Sequence, residues 1–417
     1  MSGNSPALEA ALKRFEGLYP EVIELSLGRI ERALERLGRP QDRLPPVIHV
    51  AGTNGKGSTC AFMRAMAEAA GLKVHVFTSP HLVRFNERIR LAGRLVEDDA
   101  LIGWLERTHA AIEGGEITHF EATTAAALLA FSEVPADVLI LEVGLGGKYD
   151  ATNVISAPAL SVITPVDYDH AAFLGTDLAG IAGEKAGIIK AGCPALTAIQ
   201  QPVADAVIAA RALEVGAPLY RLQPYFINAI PEDIALTGVH QRANAALAAM
   251  AMQLFGNSTR IDQAAIFEGA RKAVWPARMQ RLKDGPLTQA AGGLPVWLDG
   301  GHNPHAGRAI AAHLAAMGGK TALVSAMLAS KDAGGFFAPF VAIGADVFTC
   351  PNAPGHQAST PEALATVARQ SGLKALSFDS LQGALAAAAA SGADRVLICG
   401  SLYLAGEILA LNGQEPE

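Results

Sequence analysis

Short runs of β-branched and aliphatic residues recur along the first two thirds of the chain, at Val47–Ala51, Val74–Thr78, Val138–Val143, Leu160–Thr164 and Ala195–Ala198. Stretches of helical periodicity, Ser58–Ala70, His119–Phe131 and Leu178–Ile188, lie between them. Runs that are apolar at nearly every position predict strands buried on both faces, as in a parallel sheet covered by helices. A second alternation follows the Gly/Pro-rich stretch Asp284–Pro295, with strands predicted at Val296–Asp299, Thr321–Ser325, Asp346–Cys350, Ala375–Phe378 and Arg395–Cys399. Ala384–Ala390 is nearly pure alanine, the best helix former, and sits between two of these strands, so it reads as a crossover helix. The pattern predicts an α/β protein with a boundary near Asp284, dividing residues 1–283 from 284–417.

The composition agrees and narrows the partners. At 417 residues the chain has room for two to three domains. With 50% apolar and 18% charged residues, nothing argues for disorder. A net charge of −7 argues against nucleic acid or an anionic membrane as partner, which leaves small molecules. Cys60, Cys193, Cys350 and Cys399 form no CxxC pair and read as reduced thiols. No signal peptide or bilayer-length apolar run is evident, so the chain is expected in the cytoplasm.

The strand Val47–Ala51 runs into Gly52-Thr53-Asn54-Gly55-Lys56-Gly57-Ser58-Thr59 and then a helix. Glycines let backbone N–H groups turn toward an anion, the helix N-terminus adds partial positive charge, and Lys56 adds a full one. This is a nucleoside triphosphate cradle, although Gly57 between Lys56 and Ser58 breaks the common P-loop pattern.

The variant G-T-N-G-K-G-S resembles that of the ADP-forming Mur-type ligases. Thr78-Ser79-Pro80-His81-Leu82-Val83-Arg84-Phe85-Asn86-Glu87-Arg88-Ile89 is similar to the segment found in folylpolyglutamate and dihydrofolate synthases. Further matches follow in order: His119-Phe120-Glu121, Leu141–Gly147, Asp150-Ala151-Thr152-Asn153, Asp169-His170, Glu184–Ile188, Gly238–Gln241 with Asn244, Trp275–Arg278, Leu298–Pro304 and Gly400–Tyr403. The series spans nearly the whole chain.

Several consequences are implied by the resemblance. The fold would be an N-terminal P-loop-type parallel-sheet ATPase domain plus a smaller C-terminal Rossmann-like α/β domain that closes over ATP and helps to bind glutamate. The reaction would add L-glutamate to dihydropteroate, and to tetrahydrofolate or its polyglutamates, through an acyl phosphate, with ATP, two Mg²⁺ ions and K⁺ as cofactors and a monomer as the working form. Ser79, Glu142, His170 and Lys185 would hold metal, Lys185 as a carbamate. Thr53, Asn54, Gly55, Lys56, Gly57, Ser58, Asn244, Arg278 and Asp299 would hold ATP, and His302 would join Lys56, Glu142, His170 and Lys185 in catalysis. Phe120, Glu121, Asp150, Ala151 and Thr152 match positions that bind dihydropteroate.

The residues themselves add weight unevenly. Ser79 and Glu142 end presumed neighbouring strands at their carboxyl edge, where ligands sit in open parallel sheets. Glu142 stands between Leu141 and Val143, where an unpaired buried carboxylate is costly. Lys185, beside Glu184 in a helix, reads by position as a solvated lysine paired with an acid. The stretch from Arg278 to Asp299 is several residues longer than the family pattern, and Lys283–Gly293 is expected to form an extended turn. A monofunctional synthase and a non-catalytic ATP-binding module are the alternatives; glutamate-dependent ADP release separates the latter from a ligase.

Overall fold

The computed structural model describes residues 3–16, 18, 26–169, 171–256, 261–354 and 357–416. In chain order the strands are β1 (Val47–Ala51), β2 (Val74–Phe77), β3 (Ile89–Leu91), β4 (Arg94–Leu95), β5 (Val138–Glu142), β6 (Leu160–Ile163), β7 (Ala195–Thr197), β8 (Leu219–Arg221), β9 (Gln280–Arg281), β10 (Val296–Asp299), β11 (Thr321–Ser325), β12 (Asp346–Thr349), β13 (Lys374–Ser377) and β14 (Arg395–Cys399). Among the described residues they make two sheets, ordered β4-β3-β2-β5-β1-β6-β7-β8 and β13-β12-β11-β14-β10-β9. Among the described strands the antiparallel pairs are β2–β3, β3–β4 and β9–β10, and the remaining pairs are parallel. The α/β class and the two parallel-rich sheets follow the sequence pattern.

The central strands feed two cores, because alternate side chains leave a strand on opposite faces. Ile48, Val50, Val138 and Ile140 pack with the helices Lys56–Ala69 and Val239–Gly256, while Val47, Leu139 and Leu141 pack with the helix His119–Glu133. Glu142 shares the parity of Val138 and Ile140, on the side of the helix that Lys56 begins. The second sheet behaves likewise: Val296, Leu298, Ala322 and Val324 face one core and Leu323 and Leu397 the other. The alanine-rich segment is the helix Leu381–Ala390, burying Ala384, Leu385 and Ala388 between β13 and β14.

Two features depart from the sequence reading. The second sheet begins with β9, which pairs antiparallel to β10, so Gln280 and Arg281 join it ahead of Asp284. The segment expected as an extended turn contains the short helix Pro286–Ala290. Proline at its first position is preset for a helix, Thr288 Oγ1 accepts from the Gly285 N–H at 2.9 Å, and Leu287 and Ala291 are buried in the second core.

Candidate functional site

The order of the first sheet places β1 between β5 and β6, and β2 beside β5, so the loops after β1, β2, β5 and β6 open on one edge. After Ala51 the backbone turns through Gly52 (φ 148°) and Gly55 (φ 85°) into the helix Lys56–Ala69. Thr53 Oγ1 donates to Asp167 O at 2.8 Å and accepts from the Asp167 N–H at 3.0 Å, and the N–H groups of Thr53 and Asn54 donate to Pro165 O. The loop is thereby fixed to the segment after β6. Lys56 Nζ lies back on Gly52 O (3.2 Å) and Thr53 O (3.4 Å).

Gly57, the residue that breaks the common motif, has a steric reason. A Cβ there would fall 2.5 Å from the Trp275 ring, and one on Gly55 would fall 2.6 Å from Asn244 Oδ1. Trp275 and Asn244 therefore shape the cradle from behind. Gly57→Ala is expected to raise the KM for ATP at least about fivefold by forcing the indole and the loop apart, a displacement worth roughly 1–3 kcal/mol. Steady-state kinetics at saturating glutamate checks this, and an unchanged KM would mean the indole yields freely.

Glu142, at the end of β5, is 3% exposed and its Oε2 has no hydrogen-bond partner among the described residues. Burial pushes its pKa up to about 7, against the opposing pull of Lys56, Arg278 and the Ser79 N–H. Ser79 lines the same cavity, at the end of neighbouring β2. An orphaned carboxylate oxygen beside a hydroxyl is a donor set that suits Mg²⁺, which takes oxygen ligands and retains waters. Among the described residues no three His, Cys, Asp or Glu side chains converge as a metal cluster. His170 lies outside the described residues.

The reading of Lys185 as a solvated lysine is corrected. It is 4% exposed, and its Nζ donates to Gly52 O at 3.0 Å, the carbonyl that Lys56 also contacts. Burial and the Lys56 charge push its pKa down to about 7. A small pocket of about 20 Å³ adjoins it, lined also by Gly52, Lys56, Gly144 and Asp169.

At the other end, Phe120 packs over Gly144, which has no room for a side chain there. Both line a cavity of about 740 Å³ together with Glu121, Asp150 and Ala151. The Glu121 carboxylate is engaged by protein: Arg29 Nε and Nη2 donate to its two oxygens at 3.0 Å each, and the Thr118 N–H donates at 2.8 Å. Asp150 accepts from the Leu145 and Thr152 N–H groups (2.8 and 3.0 Å) and from the Thr152 hydroxyl at 2.5 Å. Thr152 is fully buried behind it and is braced by His49 Nε2 at 2.9 Å. Asp150 thus holds the loop 144–152 in shape, and Thr152 stands off the cavity wall.

The second domain supplies the facing wall. Asp299 ends β10, and its oxygens accept from the N–H groups of Met279 (2.8 Å) and Gly301 (2.7 Å), which clamps the linker to the loop Gly300–Asn303. His302 Nδ1 contacts Gly300 O at 2.9 Å while Nε2 lies 3.6 Å from Asp169. Arg278 donates to Ala277 O at 2.8 Å and lines the cavity, as do Asn244 and His240, the latter pushed down by burial to a pKa of about 4. Polar contacts tie the domains together across the cradle: the paired amides of Asn54 and Asn303, Asn303 Nδ2 donating to Asp169 at 3.0 Å, Lys331 with Asp169 at 2.6 Å, and Arg308 with Asp167 at 2.6 Å, beside the His302–Asp169 contact.

Residues 50–215 match the Mur ligase middle domain, and residues 277–402 match the glutamate ligase domain of Mur ligases. The chain is 34% identical to the dihydrofolate synthase/folylpolyglutamate synthase of Escherichia coli strain K12, over 96% of this chain and 94% of that protein. The chain belongs to the dihydrofolate synthase/folylpolyglutamate synthase family of Mur ligases. Its structure superposes on E. coli FolC in complex with DHPP and ADP with a TM-score of 0.83 at 31% identity, covering 99% of this chain and 98% of the other. The bifunctional enzyme from Yersinia pestis with AMPPNP and Mn ion superposes equally well, with a TM-score of 0.83 at 31% identity and 98% coverage of each chain.

For a member of this family, several site residues escape the sequence reading. Arg29 sits in a helix with no motif around it, and its pairing with Glu121 spans 92 positions. Lys331, Arg308 and Asp167 are legible only as charges. Their partners lie in the other domain, and such cross-domain pairing has no local signature.

Proposed function

We propose that this chain is a bifunctional ligase that uses ATP to join L-glutamate to dihydropteroate and to tetrahydrofolate or its polyglutamates, acting as a cytoplasmic monomer. The observation that carries the reading is a single cavity of about 740 Å³ with the triphosphate cradle at one end, the Phe120–Asp150 wall at the other, and the second domain across it. The reaction needs that layout, because a carboxylate must be activated by ATP and then meet an amine where water is excluded.

Each group has a role in that sequence. The loop N–H groups and Lys56 hold the triphosphate, and Lys56 moves from the loop carbonyls to phosphate oxygens as the charge on the transferring group spreads. Glu142 and Ser79, with His170 and a carbamylated Lys185, would hold the two Mg²⁺ ions. Bound there, the ions would neutralise phosphate charge and orient the γ-phosphoryl group. The acceptor carboxylate attacks that phosphorus, ADP leaves, and the glutamate amine then displaces phosphate from the acyl carbon. Domain contact through Asn54–Asn303 and Lys331–Asp169 keeps water from the acyl phosphate meanwhile.

Phosphate release measured with dihydropteroate and with tetrahydrofolate, each with and without glutamate, tests this. Glutamate-dependent release is expected with both acceptors; release with tetrahydrofolate alone would make the chain monofunctional. Asp150→Ala is expected to raise the KM for dihydropteroate at least about tenfold while ADP affinity stays within about twofold, because buried bonds to a carboxylate contribute roughly 1.5–3 kcal/mol and all three hold the loop 144–152. Equal losses in both would assign Asp150 a purely structural role.

A further inference from the structure

Arg88 is built into the cavity wall without an ion-pair partner among the described residues. Arg88 ends the single turn Phe85–Arg88 just before β3 and lines the cavity that Ser79, Thr118, Phe120 and Tyr403 also line. Its Nε donates to His81 Nδ1 at 2.9 Å, and its guanidinium carbon lies 5.1 Å from the centroid of the Phe85 ring. The acid next to it in sequence is engaged elsewhere: Glu87 accepts from the N–H groups of Val83 and Arg84 through Oε1 and of Leu82 through Oε2. Among the described residues Arg88 forms no ion pair, whereas Arg29 on the same wall is held by Glu121. Burial lowers the Arg88 pKa to about 10, the direction expected of a charge that lacks a counter-ion.

A guanidinium held by its Nε and by an aromatic face presents a fixed planar fork, which matches a carboxylate in two parallel hydrogen bonds. Phosphate has its own cradle at Gly52–Ser58. We propose that Arg88 receives a free carboxylate of a glutamyl group bound in this cavity. The inference rests on the ligase reading above. Two sources share this chemistry, the glutamate being added and the glutamyl tail of a reduced folate. Dihydropteroate carries no such tail, which separates them.

The test compares L-glutamate with its α-amide and its γ-amide as amine substrates, with dihydropteroate as acceptor, in wild type and Arg88→Gln. Wild type is expected to lose about 10- to 100-fold in kcat/KM on whichever amide removes the recognised charge. In the variant that penalty collapses toward unity and the KM for glutamate rises, while the KM for ATP holds. If instead the amide penalties persist and the KM for tetrahydrofolate rises, the carboxylate is that of the folate tail. Unchanged amide penalties together with an unchanged KM for tetrahydrofolate, in a variant that binds ADP normally, overturn the proposal. A uniform fall in kcat on every substrate pair overturns it too, since that is the mark of a structural arginine. Should Arg88→Gln fail to fold, Arg88→Lys replaces it with the same readouts, keeping a cation over Phe85 and losing the fork. A wild type that releases no phosphate on adding glutamate, with either acceptor, refutes the ligase reading instead.

Discussion

Lys56→Ala is expected to lose ligation by on the order of 10³ in kcat/KM and to melt within a few degrees of wild type. The two halves of that expectation have separate origins. Charge on the transferring phosphoryl group must be met where it develops, and removing one such donor costs on the order of 10²–10³ in rate. The fold loses little, because Lys56 Nζ contacts only two carbonyls of its own loop, at 3.2 and 3.4 Å, and both can be met by water. Thermal melts paired with phosphate release check both halves. Turnover near wild type would remove the cradle assignment, and a collapse in melting temperature would make the kinetic loss uninformative about phosphate.

Lys185→Ala is expected to lose activity on a similar scale for a different reason, and to regain part of it in formate or acetate. A pKa of about 7 leaves roughly nine tenths of this amine neutral at pH 8, against well under one in a hundred for an ordinary lysine near 10.5. A neutral amine can attack CO₂: its nitrogen bonds to carbon, one C–O π bond opens to an oxyanion, one proton leaves the nitrogen, and a neutral group becomes an anion. The change also relieves crowding, since the Nζ atoms of Lys56 and Lys185 both lie on Gly52 O. Short carboxylates in the alanine variant restore the missing oxygens, whereas Lys185→Arg restores only positive charge and is expected to stay inactive. Activity in the arginine variant without carboxylate rescue of the alanine variant would instead make Lys185 a phosphate-binding cation. Labelled CO₂ incorporated at neutral pH gives the direct readout.

Much of this was legible because strand and cradle obey local rules. Ile48 and Val138 on one parity and Val47 and Leu139 on the other announce a doubly covered sheet by being apolar on both faces, and the glycines, Lys56 and hydroxyls after β1 read as an anion site. The burial of Glu142 was also readable, since a carboxylate inside an apolar strand needs a reason. Lys185 was not, because solvent exposure of a helical lysine depends on what packs over it, here the loop after β1. Glu121 and Asp150 line the cavity and Thr152 lies buried behind its wall, yet their hydrogen bonds to Arg29, Leu145 and His49 come from distant or irregular backbone. Short β3 and β4 pair through a tight turn at Ala92 and Gly93, both left-handed (φ 50° and 91°), and a two-residue strand carries too little pattern to register in a sequence.

The indole of Trp275 rests on Gly57 at the point where the first domain gives way to the linker. Two other tryptophans complete the chain, Trp104, which donates to Glu133 at 2.8 Å near the surface, and Trp297 in β10 of the second sheet. With those two replaced by phenylalanine, the protein would carry one tryptophan, seated on the first turn of the helix that closes the cradle. Its emission would report cradle occupancy in real time, without label or coupled assay, and stopped-flow mixing could then order nucleotide arrival against acceptor arrival.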